Sequence, residues 1–189
     1  MYEDYKNNQI DDAEDWERLK NELSGKDILL IAPGATVTTY FSEIRNYIMK
    51  ETPLVIGVNF IPDGFHLDYA FFSNNKRFAN VEKNGVKIIV TSNLTEGDSD
   101  FKINYNQVSG AFNQGCNSFI MCLKLLKNLD VKSINVAGAD GYKEGGNNYF
   151  NADMKSSNTH GNKFNLSVID AIHALDVKVN FITPSEYNK

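Results

Sequence analysis

Three stretches of the chain gather side chains able to hold an anion or move a proton. The longest, GADGYKEGGNNYFNADMKSSNTHGNKFN, is polar and glycine-rich and carries Asp140, Tyr142, Tyr149, Asp153 and His160. A tyrosine hydroxyl donates a hydrogen bond to a phosphate oxygen, and a histidine of near-neutral pKa accepts a proton from a sugar hydroxyl. Asp140 serves equally well as a loop cap. The second stretch, Asn113-Gln114-Gly115-Cys116-Asn117-Ser118, precedes the apolar run FIMCLKLLKNL. It sets amides, a hydroxyl and a glycine at the positive end of a helix, a cradle for an anion or a pyrimidine, although the same residues also make an ordinary helix cap. The third, Ala32-Pro33-Gly34-Ala35-Thr36, lies between an apolar run and a helix, so Gly34 permits close backbone approach and the helix start offers N–H groups to a phosphate.

Several chemistries are disfavoured by the same inspection. The first turn is neither GxGxxG nor GxxxxGK[ST], which argues against a standard dinucleotide dehydrogenase or a P-loop kinase. No cluster has metal-ligand spacing, and there is no GxSxG elbow or Cys–His pair, so no metal and no required cofactor is expected. Cys116 and Cys122 lack zinc-site or redox-pair spacing and read as free thiols of a reducing cytosol, which makes the expected location cytoplasmic. His66, in a turn after a proline, and His173, on the closing helix, read as structural.

The elements that must position these residues follow from hydrophobic patterning. The 189 residues are 42% hydrophobic and 23% charged, ordinary globular usage that excludes a disordered or coiled-coil chain and favours one domain. Short apolar runs alternate with helical stretches, the signature of an α/β fold. Six strands are expected, at Asp27–Ala32, Leu54–Val58, Tyr69–Phe72, Val86–Thr91, Ser133–Gly138 and Val177–Ile182. Helices are expected at Val37–Met49, Asn75–Lys83, Asn117–Leu129 and Lys163–Ala174. Their continuous Ile, Val, Leu and Phe content implies strands covered on both faces, hence a Rossmann-like, doubly wound, mostly parallel sheet in a three-layer sandwich. Five of the six strands run into Gly, Asn, Ser or Asp: Pro33-Gly34, Asn59, Ser73-Asn74, Ser92-Asn93 and Asp140-Gly141. In an open parallel sheet those carboxyl ends frame the ligand crevice, which makes Gly34, Asn59, Ser73, Asn74, Asn93, Gly138 and Asp140 candidate nucleotide-binding residues, joined by Gly115, Asn117 and Ser118 of the helix start. The competing explanation is that Asn, Ser and Gly make turns and caps everywhere.

Charge is distributed unevenly. The formal net charge is −5, and residues 1–25 alone hold eight acids against Lys6, Arg18 and Lys20, so the rest of the chain balances at zero. A neutral body lacks the basic field that duplex nucleic acid requires, so no nucleic-acid partner is expected. No apolar run is long enough for a membrane span. The segment DDAEDWERLKNELS reads as an acidic amphipathic helix ended by Gly25, either packing Trp16 on the body or serving as a linker or docking helix.

The segments ILLIAPGATV, VIGVNF, DYAFFSN, IIVTSN, NQGCNSFIMCLKLLKNLDVKSINVAGADGY and VKVNFITPS together resemble the small bacterial sialyltransferases that use a CMP-sugar. They also resemble the wider Rossmann-type group that includes 6-hydroxymethylpterin diphosphokinase-like proteins. The order of elements is similar over about residues 26–185. The resemblance implies that Gly34, Asn59, Asn74, Asn117 and Ser118 contact a cytidine nucleotide. It further implies that Tyr142 and Tyr149 steady the leaving phosphate and that His160 is the general base; Gly115 stands where the sialyltransferases carry an arginine. A second resemblance lies in YEDYKNNQIDDAEDWERLKNELSGKDILLIAPG, which is similar to the junction at which HMG-CoA-lyase-like aldolases, often labelled 4-hydroxy-2-oxovalerate aldolase, pass into an appended C-terminal domain. Such proteins are associated with bacterial surface-polysaccharide loci. It implies a linker over residues 1–25, an appended domain over 26–189, and an aldolase barrel as partner; the barrel's own metal-binding motifs are absent from these residues.

The leading expectation is therefore a nucleotide or nucleotide-sugar binding domain with CMP or a CMP-sugar as ligand. An active CMP-sugar-dependent glycosyltransferase and a non-catalytic interaction domain are the alternatives.

Overall fold

A computed structural model describes residues 9–79, 81–110, 117–143, 149–150 and 161–189. The first helix, α1 (Ala13–Leu23), leads past Gly25 into β1 (Asp27–Ile31), followed by α2 (Thr36–Thr39), α3 (Phe41–Glu51), β2 (Leu54–Val58), β3 (Tyr69–Phe72) and α4 (Asn75–Phe78). Then come β4 (Lys87–Thr91), β5 (Phe101–Ile103), α5 (Tyr105–Val108), α6 (Ser118–Asn128), β6 (Ser133–Ala137), α7 (Gly161–Ala174) and β7 (Val179–Phe181). The strands form one sheet in the order β5-β4-β3-β2-β1-β6-β7, and every pairing is parallel. The chain winds outward from β1 to β5, returns to place β6 on the other side of β1, and continues to β7. This is the doubly wound α/β arrangement, with its topological switch between β1 and β6.

Alternate residues of each strand feed two cores. Ile28 and Leu30 of β1 pack with Leu19, Leu123, Leu126 and Val168, so α1, α6 and α7 cover one face. Leu29 and Ile31 pack with Val37, Ile44 and Phe78, so α2, α3 and α4 cover the other. Burial on both faces is why the strands read as unbroken apolar runs rather than alternating ones.

The sheet has seven strands, not the six expected, and is wholly parallel. The additional strand, β5, is only Phe-Lys-Ile, too short to show as an apolar run. Its outer edge is sealed by α1. The Asp15 carboxylate accepts from the Lys102 amide at 2.8 Å, and Asp12 accepts from the Asn104 amide at 2.7 Å. The Asn104 side chain in turn pairs with the backbone of Ile10, at 2.9 and 2.8 Å. Leu19 and Leu23 are fully buried beneath this contact. The acidic helix thus packs on the body, with Trp16 partly buried against the core.

Element ends shift for local reasons. The expected helix over Val37–Met49 is divided at Tyr40, whose backbone leaves helical geometry (φ −108°, ψ 29°). The preceding Thr-Val-Thr-Thr is rich in β-branched residues that pay rotamer entropy in a helix. The helix expected over Asn75–Lys83 ends at Phe78. Strand β6 stops one residue early because Gly138 takes φ +72°.

Candidate functional site

The carboxyl ends of β1 and β6, the switch point, close on each other. The Gly34 amide donates to the Gly138 carbonyl at 2.7 Å, and a Cβ at either glycine would collide with the facing backbone. The Asp140 carboxylate accepts from the Thr36 amide at 2.9 Å and from the Thr36 hydroxyl. Buried Thr183 accepts from the Gly138 amide at 3.0 Å, and its hydroxyl lies 3.2 Å from that of Thr36. Burial pushes the Asp140 carboxyl above its ordinary range, and the bonds from Thr36 only partly offset that. These contacts form a latch from β1 through β6 to the segment after β7. The close approach expected of Gly34 is made by Gly138 and Asp140 of the same chain, and its N–H is already spent.

On the other side of β1, the ends of β2, β3 and β4 meet the start of α6. Asn59 ends β2 in the left-handed region (φ +58°), where asparagine is among the few non-glycine residues that sit readily. Its side chain accepts from the Ser73 amide at 3.2 Å and donates to the Ser118 hydroxyl at 2.5 Å. The Ser73 and Ser118 hydroxyls are 2.6 Å apart. Asn93, held by Thr91, donates to the Ser73 carbonyl at 3.1 Å. Four elements distant in sequence therefore converge on Ser73 and Ser118. Asn117 and Asn74 behave as helix caps, Asn117 accepting from the Phe119 and Ile120 amides and Asn74 from the Arg77 amide.

After β6 comes an aromatic pair. The Tyr142 and Tyr149 hydroxyls are 3.2 Å apart, and their rings meet edge-on at 6.3 Å. Tyr142 is clamped to α7 by Asn165, which accepts from its amide and donates to its carbonyl, both at 2.9 Å. The segment of Tyr149 is anchored where the Phe150 amide donates to the Pro33 carbonyl at 2.8 Å and the Phe150 ring lies 5.8 Å from Phe60. Burial, then the hydrogen bond with Tyr149, pushes the Tyr142 phenol above its ordinary range. Tyr142 is therefore neutral at physiological pH and able to donate a proton in a hydrogen bond. Tyr187, likewise raised by burial, stacks on Phe119 one residue past Ser118.

Of the expected site residues, Asn59, Ser73, Asn93, Asn117 and Ser118 are brought together on the β2–β4 side. Gly34, Gly138 and Asp140 are joined in the latch, Asn74 caps α4, and Tyr142 and Tyr149 form their own pair. His160 and Gly115 lie outside the described residues. Residues the sequence did not single out are Thr183, Tyr187 and Arg77. The guanidinium carbon of Arg77 lies 6.0 Å from the centre of the Tyr149 ring. Arg77 follows the expected Ser73-Asn74 strand end by one helical turn, a signal that was available. No such proximity to an expected site residue marked Thr183 or Tyr187.

Among the described residues no group of three or more His, Cys, Asp or Glu side chains is placed to hold a metal ion, and no helix is long and apolar enough to cross a membrane. The single described cysteine, Cys122, is buried, and burial raises its thiol. Cys116 lies outside the described residues. No protein-family model matches the chain, and no curated protein matches it significantly.

Proposed function

We propose that this chain is a nucleotide or nucleotide-sugar binding domain, selective for a cytidine nucleotide, whose ligand lies over the carboxyl ends of β2 and β3 and the start of α6. The observation that carries the reading is the convergence of Asn59, Ser73 and Ser118. Amide and hydroxyl groups gathered at the rim of a parallel sheet are the equipment that reads a base edge or cradles a phosphate. Their mutual hydrogen bonds keep the cluster pre-organised, and a ligand exchanges those bonds for its own. The latch between β1 and β6 directs the ligand away from the switch point and toward this cluster. Cytidine preference and work beside an aldolase in surface-polysaccharide synthesis rest on the resemblances described above.

Isothermal titration with CMP, CDP and UDP tests the reading. A cytidine nucleotide is expected to bind more tightly than UDP, and absence of binding by any nucleotide at millimolar concentration would overturn it.

The Tyr142–Tyr149 pair favours a second reading, glycosyl transfer. An acceptor hydroxyl attacks the anomeric carbon of the CMP-sugar, the bond from that carbon to the phosphate oxygen breaks, and CMP departs with its phosphate hydrogen-bonded by the phenols. The acceptor's proton passes to His160. His160→Ala then lowers turnover strongly and spares nucleotide affinity; equal loss of both removes the catalytic assignment. The interaction-domain alternative wants an exposed apolar patch. Among the described residues the large hydrophobics that are strongly exposed are Met49 on α3 and Leu166 on α7, on opposite faces of the sheet.

A further inference from the structure

We infer that the Tyr187 hydroxyl is a ligand contact of this site, donating a hydrogen bond to an uncharged hydroxyl or carbonyl of the ligand's nucleoside half rather than to its phosphate. This contact rests on the nucleotide reading above and brings in a residue to which neither the strand-end pattern nor the resemblances gave a role.

Tyr187 is only 8% exposed. Its amide donates to the Ser185 hydroxyl at 3.0 Å, and its ring stacks on Phe119 with the centres 6.2 Å apart and the planes within 16°. Its hydroxyl, by contrast, has no hydrogen-bond partner among the described residues. A tyrosine buried to this extent ordinarily finds one, because a hydroxyl taken from water without a replacement bond costs free energy. Among the described residues no fully enclosed side-chain nitrogen or oxygen lacks a partner. The Tyr187 hydroxyl is therefore not enclosed: the ring is held in the interior while the hydroxyl reaches an opening.

The surrounding contacts place that opening at the rim. The Ser185 hydroxyl donates to the Ala139 carbonyl and the Glu186 amide to the Asp140 carbonyl at 2.9 Å, so the residues after β7 lie along those after β6. Phe119, on which the ring rests, directly follows Ser118 at the start of α6. Burial raises the Tyr187 phenol above its ordinary range, and the charges of Tyr149 and Asp140 raise it further; Tyr187 acts in turn on the phenol of Tyr142. The group is thus a neutral donor at physiological pH, in a field made negative by the Asp140 carboxylate. Such a field disfavours a phosphate and suits an uncharged partner.

The test titrates cytidine, dideoxycytidine and CMP into wild type and into Tyr187→Phe, which keeps the ring on Phe119 and removes only the hydroxyl. Tyr187→Phe is expected to lose about three- to tenfold in affinity for cytidine and CMP alike, the effect of one uncharged hydrogen bond. A smaller loss for dideoxycytidine assigns the contact to a sugar hydroxyl, and an equal loss assigns it to the base. Unchanged affinity for all three, or a loss for CMP alone, overturns the inference and leaves the nucleotide reading standing. Failure of wild type to bind any of them overturns that reading and the inference with it. Melting of the unliganded proteins gives a second measure: with no internal bond to lose, Tyr187→Phe is expected to melt no more than about 3 °C below wild type, and a larger fall, the mark of a broken internal bond in a chain of this size, overturns the inference.

Discussion

Ser118 is the residue on which the neutral part of the site turns, because the Asn59 amide and the Ser73 hydroxyl both reach it. Ser118→Ala should lower nucleotide affinity roughly tenfold, about the worth of one hydrogen bond, without lowering the melting temperature by more than a few degrees, as titration and calorimetry would show. Asp140 has the opposite profile. It holds the Thr36 amide and hydroxyl in the latch, so Asp140→Ala leaves a partly buried donor without its acceptor and should cost about 1–3 kcal/mol in urea unfolding. Asp140→Asn keeps an acceptor for the amide and should cost less. The sign of the pH effect follows from burial, which raises the folded carboxyl's pKa above its unfolded value. Ionisation therefore costs stability, and the stability of wild type relative to Asp140→Asn should rise as pH falls from neutral through the folded pKa. The convergence of these polar groups was legible in part: Asn59 and Ser73 stand where post-strand residues of a parallel sheet meet, and Ser118 opens the small-residue helix start. What the sequence could not separate was a ligand contact from a cap. Asn74 and Asn117 satisfy helix amides, as their residue type equally allowed, and the purpose of Gly34 becomes plain only when Gly138 is seen against it.

At the scale of elements, the acidic helix is an edge guard. A parallel sheet ending in an uncovered strand presents a row of amides to any other chain, and α1 answers with two carboxylates three residues apart that take the alternate amides of Lys102 and Asn104. Substituting Asp12 and Asp15 together by alanine should open that edge and shift the chain toward larger species than wild type in size-exclusion chromatography with light scattering; an unchanged elution would show that the buried Leu19 and Leu23 suffice. Glu22 ties the same helix to the sheet, accepting from Lys87 at 2.6 Å and from the Tyr69 hydroxyl. Desolvation raises its carboxyl, but the bonds from Lys87 and Tyr69 outweigh it and leave the pKa below the ordinary value of 4.5. Its contribution is therefore present above the unfolded pKa and lost as pH falls through the folded one. Glu22→Gln should lower stability at neutral pH and change little below the folded pKa, so that the acid side of the stability curve flattens. The helix itself was legible from the spacing of Trp16, Leu19 and Leu23. Its task was not, because β5 has three residues and its amides lie about ninety positions away in the chain.

At the scale of the whole molecule, the winding order sets one topological switch at β1 and β6, and there Gly34 and Thr36 bond to Gly138 and Asp140 of the same chain. Sheet, parallelism and layer order all follow from runs buried on both faces, which is why they were readable, whereas this latch depends on contacts between residues more than a hundred positions apart, such as Thr36 with Asp140. The place of the proposed ligand can be measured by hydrogen exchange with and without saturating CMP. Uptake should slow in peptides covering residues 59–61, 73–77 and 117–120, and stay unchanged in those covering 32–36 and 138–141. Protection confined to the second set would place the ligand at the switch point and require the latch to open. The same ligand should raise the melting temperature. At a hundred times its dissociation constant it adds about 2.7 kcal/mol, a shift of roughly 5–10 °C for a chain of this size. In Ser118→Ala at the same CMP concentration the shift should shrink by the tenfold loss of affinity, about 1.4 kcal/mol. A full shift in that variant would mean that CMP stabilises the fold from somewhere other than the cluster at β2, β3 and α6.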